Sequence, residues 1–114
     1  MSAQRMRRVN QAMRQVLGDA LAQDLKDPRV GFVTVTDVKT STDLRHARVY
    51  VSVLGDEATR TATLDGLQSA RAFLQGRIAG ELRMKRTPEL SFELDETAER
   101  AARLERLIEQ EQGS

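Results

Sequence analysis

Apolar residues recur at helical spacing from the start of the chain. Met6, Val9, Met13, Val16, Leu17, Ala20 and Leu21 share one face, which predicts a long amphipathic helix over about residues 5–26. Asp27-Pro28 ends it, because proline holds the residue before it in extended conformations. Val30 to Val38 is rich in valine and threonine and reads as a strand. A polar turn, Lys39-Thr40-Ser41-Thr42-Asp43, then leads to the cleanest alternation in the chain. Ala47, Val49, Val51 and Val53 point one way and His46, Arg48, Tyr50 and Ser52 the other, so the sheet has one buried face and one polar face open to a ligand. After Gly55 a helical pattern begins near Glu57 and passes through Leu64, Leu67, Leu74, Ile78 and Leu82. Thr87-Pro88 stops it, and Leu90, Phe92 and Leu94 alternate as a third strand. Ala101, Leu104, Leu107 and Ile108 make a last helix, about Thr97 to Gln112, amphipathic, so that it packs on the domain or on a partner. The predicted class is α+β, in the order helix, strand, strand, helix, helix, strand, helix.

Length and composition narrow the setting. A chain of 114 residues makes one domain with a real core but no cleft between two lobes. It divides into a body, residues 1–96, and a C-terminal helix and tail, residues 97–114. With 39% hydrophobic and 31% charged residues the chain is expected to fold and stay soluble. The absence of cysteine rules out a disulfide or a thiolate metal site and fits a reducing cytoplasm. The N-terminal stretch lacks the apolar core of a signal peptide, and no run approaches the roughly 20 residues needed to span a bilayer. A cytoplasmic protein with no membrane partner is expected.

The net charge of +1 hides a segregation along the chain. Residues 1–50 carry nine Lys/Arg against five Asp/Glu, and residues 71–86 carry five against one. Residues 51–70 carry one against three, and residues 87–114 three against eight. Arg5, Arg7 and Arg8 crowd the first turn of the first helix, where the helix dipole disfavours cations. Arg71, Arg77 and Arg83 project from the helix whose apolar face is Leu74, Ile78 and Leu82, and Lys85 and Arg86 end that helix in positive charge, which suits its negative C-terminal dipole. Such a basic surface suits phosphates, although ordinary solvated helix faces give the same pattern.

Catalysis finds little support. His46 is the only histidine, and its strand neighbours offer no nucleophile pairing. One histidine without cysteine leaves too few soft ligands for zinc or iron. Glu93, Asp95 and Glu96 fit strand alternation and a helix cap better than an acid–base pair. Neither a Walker A sequence nor a G-x-G-x-x-G is present, so no nucleotide cofactor is expected. Nucleic-acid binding is the stronger chemical reading. Phe73 and Phe92 lie on apolar faces and read as core, which leaves Tyr50, beside Arg48, as the ring able to stack on a base. The expected mode is recognition of folded RNA through phosphates, sugar hydroxyls and shape.

Three linked segments carry a family resemblance. Lys26-Asp27-Pro28-Arg29-Val30-Gly31, then Ser41-x-Asp43-Leu44-x-x-Ala47-x-Val49-Tyr50-Val51, and Leu82-Arg83-x-x-x-x-Pro88-Glu89-Leu90-x-Phe92 resemble bacterial ribosome-binding factor A. The resemblance implies a type-II KH-like domain of order αββααβ, with a three-stranded sheet packed by helices. It implies a noncatalytic assembly factor that binds the free or immature small (30S) ribosomal subunit, assists late maturation and 16S rRNA processing, and acts in cold adaptation. A KH domain brings a G-x-x-G loop to the RNA backbone. This chain has none. The family has an Ala-x-Gly kink there, matched by Ala70, Arg71 and Ala72, with alanine in place of the final glycine. One straight helix also fits the leucine pattern, and the family pattern favours the kink.

On this reading Arg5, Arg7, Arg8, Arg71, Arg77, Arg83, Lys85 and Arg86 contact rRNA phosphates. The partner is the small subunit and its rRNA, the protein is a monomer, and no metal, cofactor or small-molecule substrate is needed. Two rival classes stand beside it. A protein-interaction or dimerisation subunit would use the last helix without binding RNA, and a small enzyme would need a site that the sequence does not offer.

Overall fold

The computed structural model describes residues 3–23 and 27–112, and within the last helix not the side chains of 98–103 and 112. Helix α1 (Ala3–Gln23) is followed by strands β1 (Val33–Thr40) and β2 (His46–Val53). Helices α2 (Glu57–Ser69) and α3 (Arg71–Leu82), strand β3 (Glu89–Leu94) and helix α4 (Thr97–Gln112) complete the chain. The predicted end of α1 at residues 24–26, and Lys26 of the first family segment, lie outside the described residues. β2 is the central strand, antiparallel to β1 and parallel to β3, so the sheet is mixed. A parallel return needs a long crossover, and α2 and α3 supply it.

The predicted periodicities form the core. Met13, Val16, Leu17 and Ala20 of α1 are buried against Ala47, Val49 and Val51 of β2, with Leu74 and Ile78 of α3 and Leu90 and Phe92 of β3. All the helices of the core cover one sheet face, and the opposite face carries Lys39, His46, Arg48, Ser91 and Glu93.

Strand β1 departs from simple alternation. Both Val35 and Val38 are buried, three apart, because the pairing with β2 shifts between Val35 and Asp37. The extra residue, Thr36, bends the strand and returns the following positions to the core. β1 also starts later than the sequence suggests. Val30 instead closes a turn in which the Asp27 carboxylate accepts from the backbone and the guanidinium of Arg29, and the Asp27 carbonyl accepts from the Val30 N–H.

That turn docks on α2. Thr63 is fully buried, and its hydroxyl lies 2.8 Å from the Thr59 carbonyl and 3.3 Å from that of Arg29. Beside it, Gly66 lets Val30 approach so closely that a Cβ would stand 2.7 Å from Val30 Cγ2. Helix α4 behaves otherwise. Its described apolar side chains, Leu104, Leu107 and Ile108, are exposed, so this face does not pack on the domain.

Candidate nucleic-acid interface

Three chain segments meet at one end of the sheet. β1 finishes at Thr40 and β2 begins at His46, bridged by a short turn in which the Ser41 hydroxyl donates to Asp43 at 2.6 Å and accepts from the His46 N–H at 3.1 Å. The Asp43 carboxylate also accepts from the Arg45 N–H, and the two hydrogen bonds, that of Ser41 first, hold its pKa below the ordinary carboxylate value. Leu44 takes a left-handed conformation at φ 61°, which turns the chain back towards the sheet. β3 starts alongside, with the Glu89 N–H donating to the Arg45 carbonyl at 2.8 Å. Helix α1 is tied to the same end, where Asn10 Oδ1 accepts from the Thr40 N–H at 3.1 Å. The turn of α1 that carries Arg5, Arg7 and Arg8 precedes Asn10 and is exposed there.

Helix α2 runs back to this end and stops at Ala70. Ala70 has φ −88° and ψ 4°, its N–H is shared between the Gly66 and Leu67 carbonyls, and its own carbonyl accepts from Leu74. The chain is therefore interrupted for a single residue and resumes as α3 at Arg71. Ala72 lies inside α3, and the interruption at Ala70 keeps a negative φ. No residue of the break takes the positive φ that favours glycine, so Ala70, Arg71 and Ala72 form it without one.

A groove of about 630 Å³ opens beside the break, lined by Arg45, His46, Arg71, Ala72, Gln75, Arg86, Thr87 and Glu89. It brings together Arg71 and Arg86, fifteen positions apart, with Arg45 and His46 from the other side of the sheet end. An adjoining depression is bounded by Asp43, Leu44, Arg45, Met84, Lys85 and Arg86. Arg83 ends α3 in a left-handed conformation, φ 48° and ψ 41°, and is exposed. The pole is not purely cationic. Arg71 pairs with Glu89 at 3.5 Å and Arg45 lies 4.0 Å from Asp43, while Arg77 is engaged one turn along α3 by Glu81 at 3.0 Å. Such exposed pairs are weak and exchange readily for a phosphate. The opposite end carries Asp56, Glu57 and Asp65 around a shallow depression and Asp95 after β3. Acidic residues thus gather at the end of the sheet away from the basic groove, while Glu89 and Asp43 remain at the groove itself.

Arg45 is not among the contacts that the sequence predicts. Its signal lies in the alternation Arg45, His46, Arg48, whose weight depends on which residues the fold sets opposite them. The aromatic expectation needs correction. Phe92 is core, but Phe73 is 44% exposed, because it falls on the solvent side of α3 one residue from the buried Leu74. Phe32, 83% exposed, is a further free ring. Tyr50 is half-buried, and its ring has Lys39 Nζ 5.5 Å from the centroid, a cation–π contact on the open sheet face. No group of three or more His, Cys, Asp or Glu among the described residues is arranged to hold a metal ion, and none of the described helices is long and apolar enough to cross a membrane.

The family profile described as ribosome-binding factor A matches residues 5–108. The chain belongs to this family. It is similar to the crystal structure of ribosome-binding factor A from Thermus thermophilus, at 30% identity and TM-score 0.69, covering 78% of this chain and 94% of that one. The solution NMR structure of a Thermotoga maritima protein described as a ribosome binding factor A matches at 38% identity and TM-score 0.73, covering 82% and 89%. A homology model of the Thermus thermophilus factor, fitted into an electron cryo-microscopy map of its complex with the 30S subunit, matches at 30% identity and TM-score 0.64, covering 75% and 90%. These ribosome-binding factor A structures share the α+β fold of this chain, and its order of elements fits theirs.

Proposed function

We propose that this protein is a noncatalytic assembly factor that binds the free or immature small ribosomal subunit and assists its late maturation and 16S rRNA processing. The observation that carries the reading is the basic pole beside the helix break, where α1, the β1–β2 turn and the α3–β3 connection converge. Family membership supports it, as does the relative fitted into a 30S complex. Arg5, Arg7, Arg8, Arg71, Arg83, Lys85 and Arg86, joined by Arg45, take up rRNA phosphates, and Arg77 does so after leaving Glu81. The rigid pole fits one arrangement of the subunit better than others, and differential affinity alone shifts the population towards it. Residues 1–96 act as the binding unit, with residues 97–114 appended. The protein works as a cytoplasmic monomer, in cold adaptation among other conditions, without cofactor, metal or small-molecule substrate.

Co-sedimentation with purified immature subunits, mature small subunits and whole ribosomes, over a salt series, tests this reading. Preference for immature subunits and a steep salt dependence are expected, and combining Arg83→Ala, Lys85→Ala and Arg86→Ala lowers the log–log slope by about one unit per lost contact. Unchanged affinity and slope would remove the pole from the mechanism. The exposed Leu104, Leu107 and Ile108 favour a second reading, a dimerisation subunit that uses α4. Mass that rises with concentration, without salt-sensitive RNA binding, is its signature.

A further inference from the structure

The open face of the sheet carries a second cationic site. Lys39 of β1 stands directly opposite Arg48 of β2 in the ladder, and Arg48 stands opposite Ser91 of β3. One cross-strand row therefore holds two cations and no anion. Like charges facing each other across a ladder are destabilising, and the open-face carboxylates stand in the neighbouring rows, Asp37 and Glu93 opposite Tyr50 and Glu89 opposite His46. Neither cation forms an ion pair within 4.0 Å among the described residues, although Tyr50 and then Glu93 draw the Arg48 pKa upward, Lys39 acts electrostatically on Asp95, and Lys39 lies over the Tyr50 ring. Around the row lies a depression of about 520 Å³ lined by Lys39, Thr40, Ser41, His46, Arg48 and Ser91. Its lining is three nitrogen bases and three hydroxyls, without a carboxylate.

We propose that this depression is a second phosphodiester site, separate from the groove at the helix break and continuous with it through His46. Lys39 and Arg48 supply charge and the Ser91 hydroxyl donates to a phosphate oxygen, while the hydroxyls of Ser41 and Thr40 are already given to Asp43 and Met13. Such a set suits a phosphate in a strand, because the cations neutralise it while a neutral donor adds a hydrogen bond. His46 lines both depressions, so a strand seated on Arg71 and Arg86 passes it and continues across β2 towards Lys39. The Tyr50 ring, under Lys39, takes part by holding the ammonium and not by stacking on a base.

The inference rests on the reading of the protein as an RNA-binding factor, and two variants separate the two. Lys39→Gln with Arg48→Gln is compared with Arg71→Gln with Arg86→Gln in binding to purified small ribosomal subunits across salt. Each pair changes exposed side chains, and melting curves verify that both variants fold. Loss of two contacts by the sheet-face pair is expected to lower the log–log slope by about 1.4 to 1.8. Lys39→Glu is expected to weaken binding further. If the sheet-face pair keeps the parent slope and affinity while the groove pair loses both, the second site is overturned and the RNA-binding reading stands. If neither pair changes anything, both fall.

Discussion

Thr36 donates its hydroxyl to the Asp95 carboxylate at 2.6 Å across fifty-nine residues of sequence. The bulged residue of β1 is thereby tied to the segment after β3, and the second Asp95 oxygen accepts from the Thr97 N–H at 2.9 Å where α4 begins. Sheet irregularity and helix start share one carboxylate.

That carboxylate gives the protein an acid-sensitive limb. The Thr36 hydroxyl, followed by the Thr97 N–H, lowers the Asp95 pKa from 3.8, and Asp27, Asp43 and Asp56 are lowered by their own hydrogen bonds. In each case the folded form stays ionised where the unfolded chain takes up a proton. The stabilisation is present above pH 3.8 and is lost as pH falls through the lower folded values. Melting temperatures measured from about pH 2 to 6 should drop below about pH 4, and Asp95→Asn should flatten that drop.

Gly66 and the α3 glycines should respond in opposite directions to alanine. At Gly66 the new methyl meets Val30 at 2.7 Å and Arg29 Cβ at 3.3 Å, and overpacking of about 1–3 kcal/mol outweighs the roughly 1 kcal/mol that alanine gives a helix. At Gly76 and Gly80 nothing lies within 4 Å, and each substitution should add about 0.5–1 kcal/mol. Denaturant melts of the three variants test this, and equal effects would refute the docking of the Asp27–Val30 turn on α2.

Arg83→Gly separates folding from binding. The left-handed conformation at φ 48° costs a non-glycine residue about 1 kcal/mol, so glycine should stabilise the protein by about that much. The same change removes a cation from the basic pole, and the slope of subunit binding against salt should fall by about 0.9. A gain in stability with unchanged slope would place Arg83 outside the contact surface.

Restoring the family glycine by Ala72→Gly should leave the break where it is. The interruption lies at Ala70, and position 72 is already helical, so glycine there loses up to about 1 kcal/mol and brings no sharper bend. Amide chemical shifts around Ala70 should stay in place. Large shifts at Leu67 and Leu74 would show that the hinge depends on residue 72.

Much of the architecture is legible because it is local. The 3.6-residue spacing of Met13, Val16, Leu17 and Ala20 and the alternation of Ala47, Val49 and Val51 each act within a few residues, and each is a feature of the structure, whereas α3 ends at Leu82, with Arg83 left-handed, well before the expected stop at Thr87-Pro88. Phe73 and Arg45 escape such a reading for the converse reason. A ring beside a buried leucine is on either side of a helix boundary within one step of about 100°, and the place of Arg45 depends on what β3 and α3 bring next to it.

By itself, then, the sequence determined the kinds of elements, their order, the buried face of the central strand and the uneven distribution of charge, since these follow from side-chain period and from where the charged residues stand in the chain. The bulge at Thr36, the Gly66 contact and the single-residue break at Ala70 were decided in three dimensions. So was the meeting of Arg45, His46, Arg71 and Arg86. Each depends on the distance between groups far apart in the chain, and only packing of the sheet against its helices sets that distance.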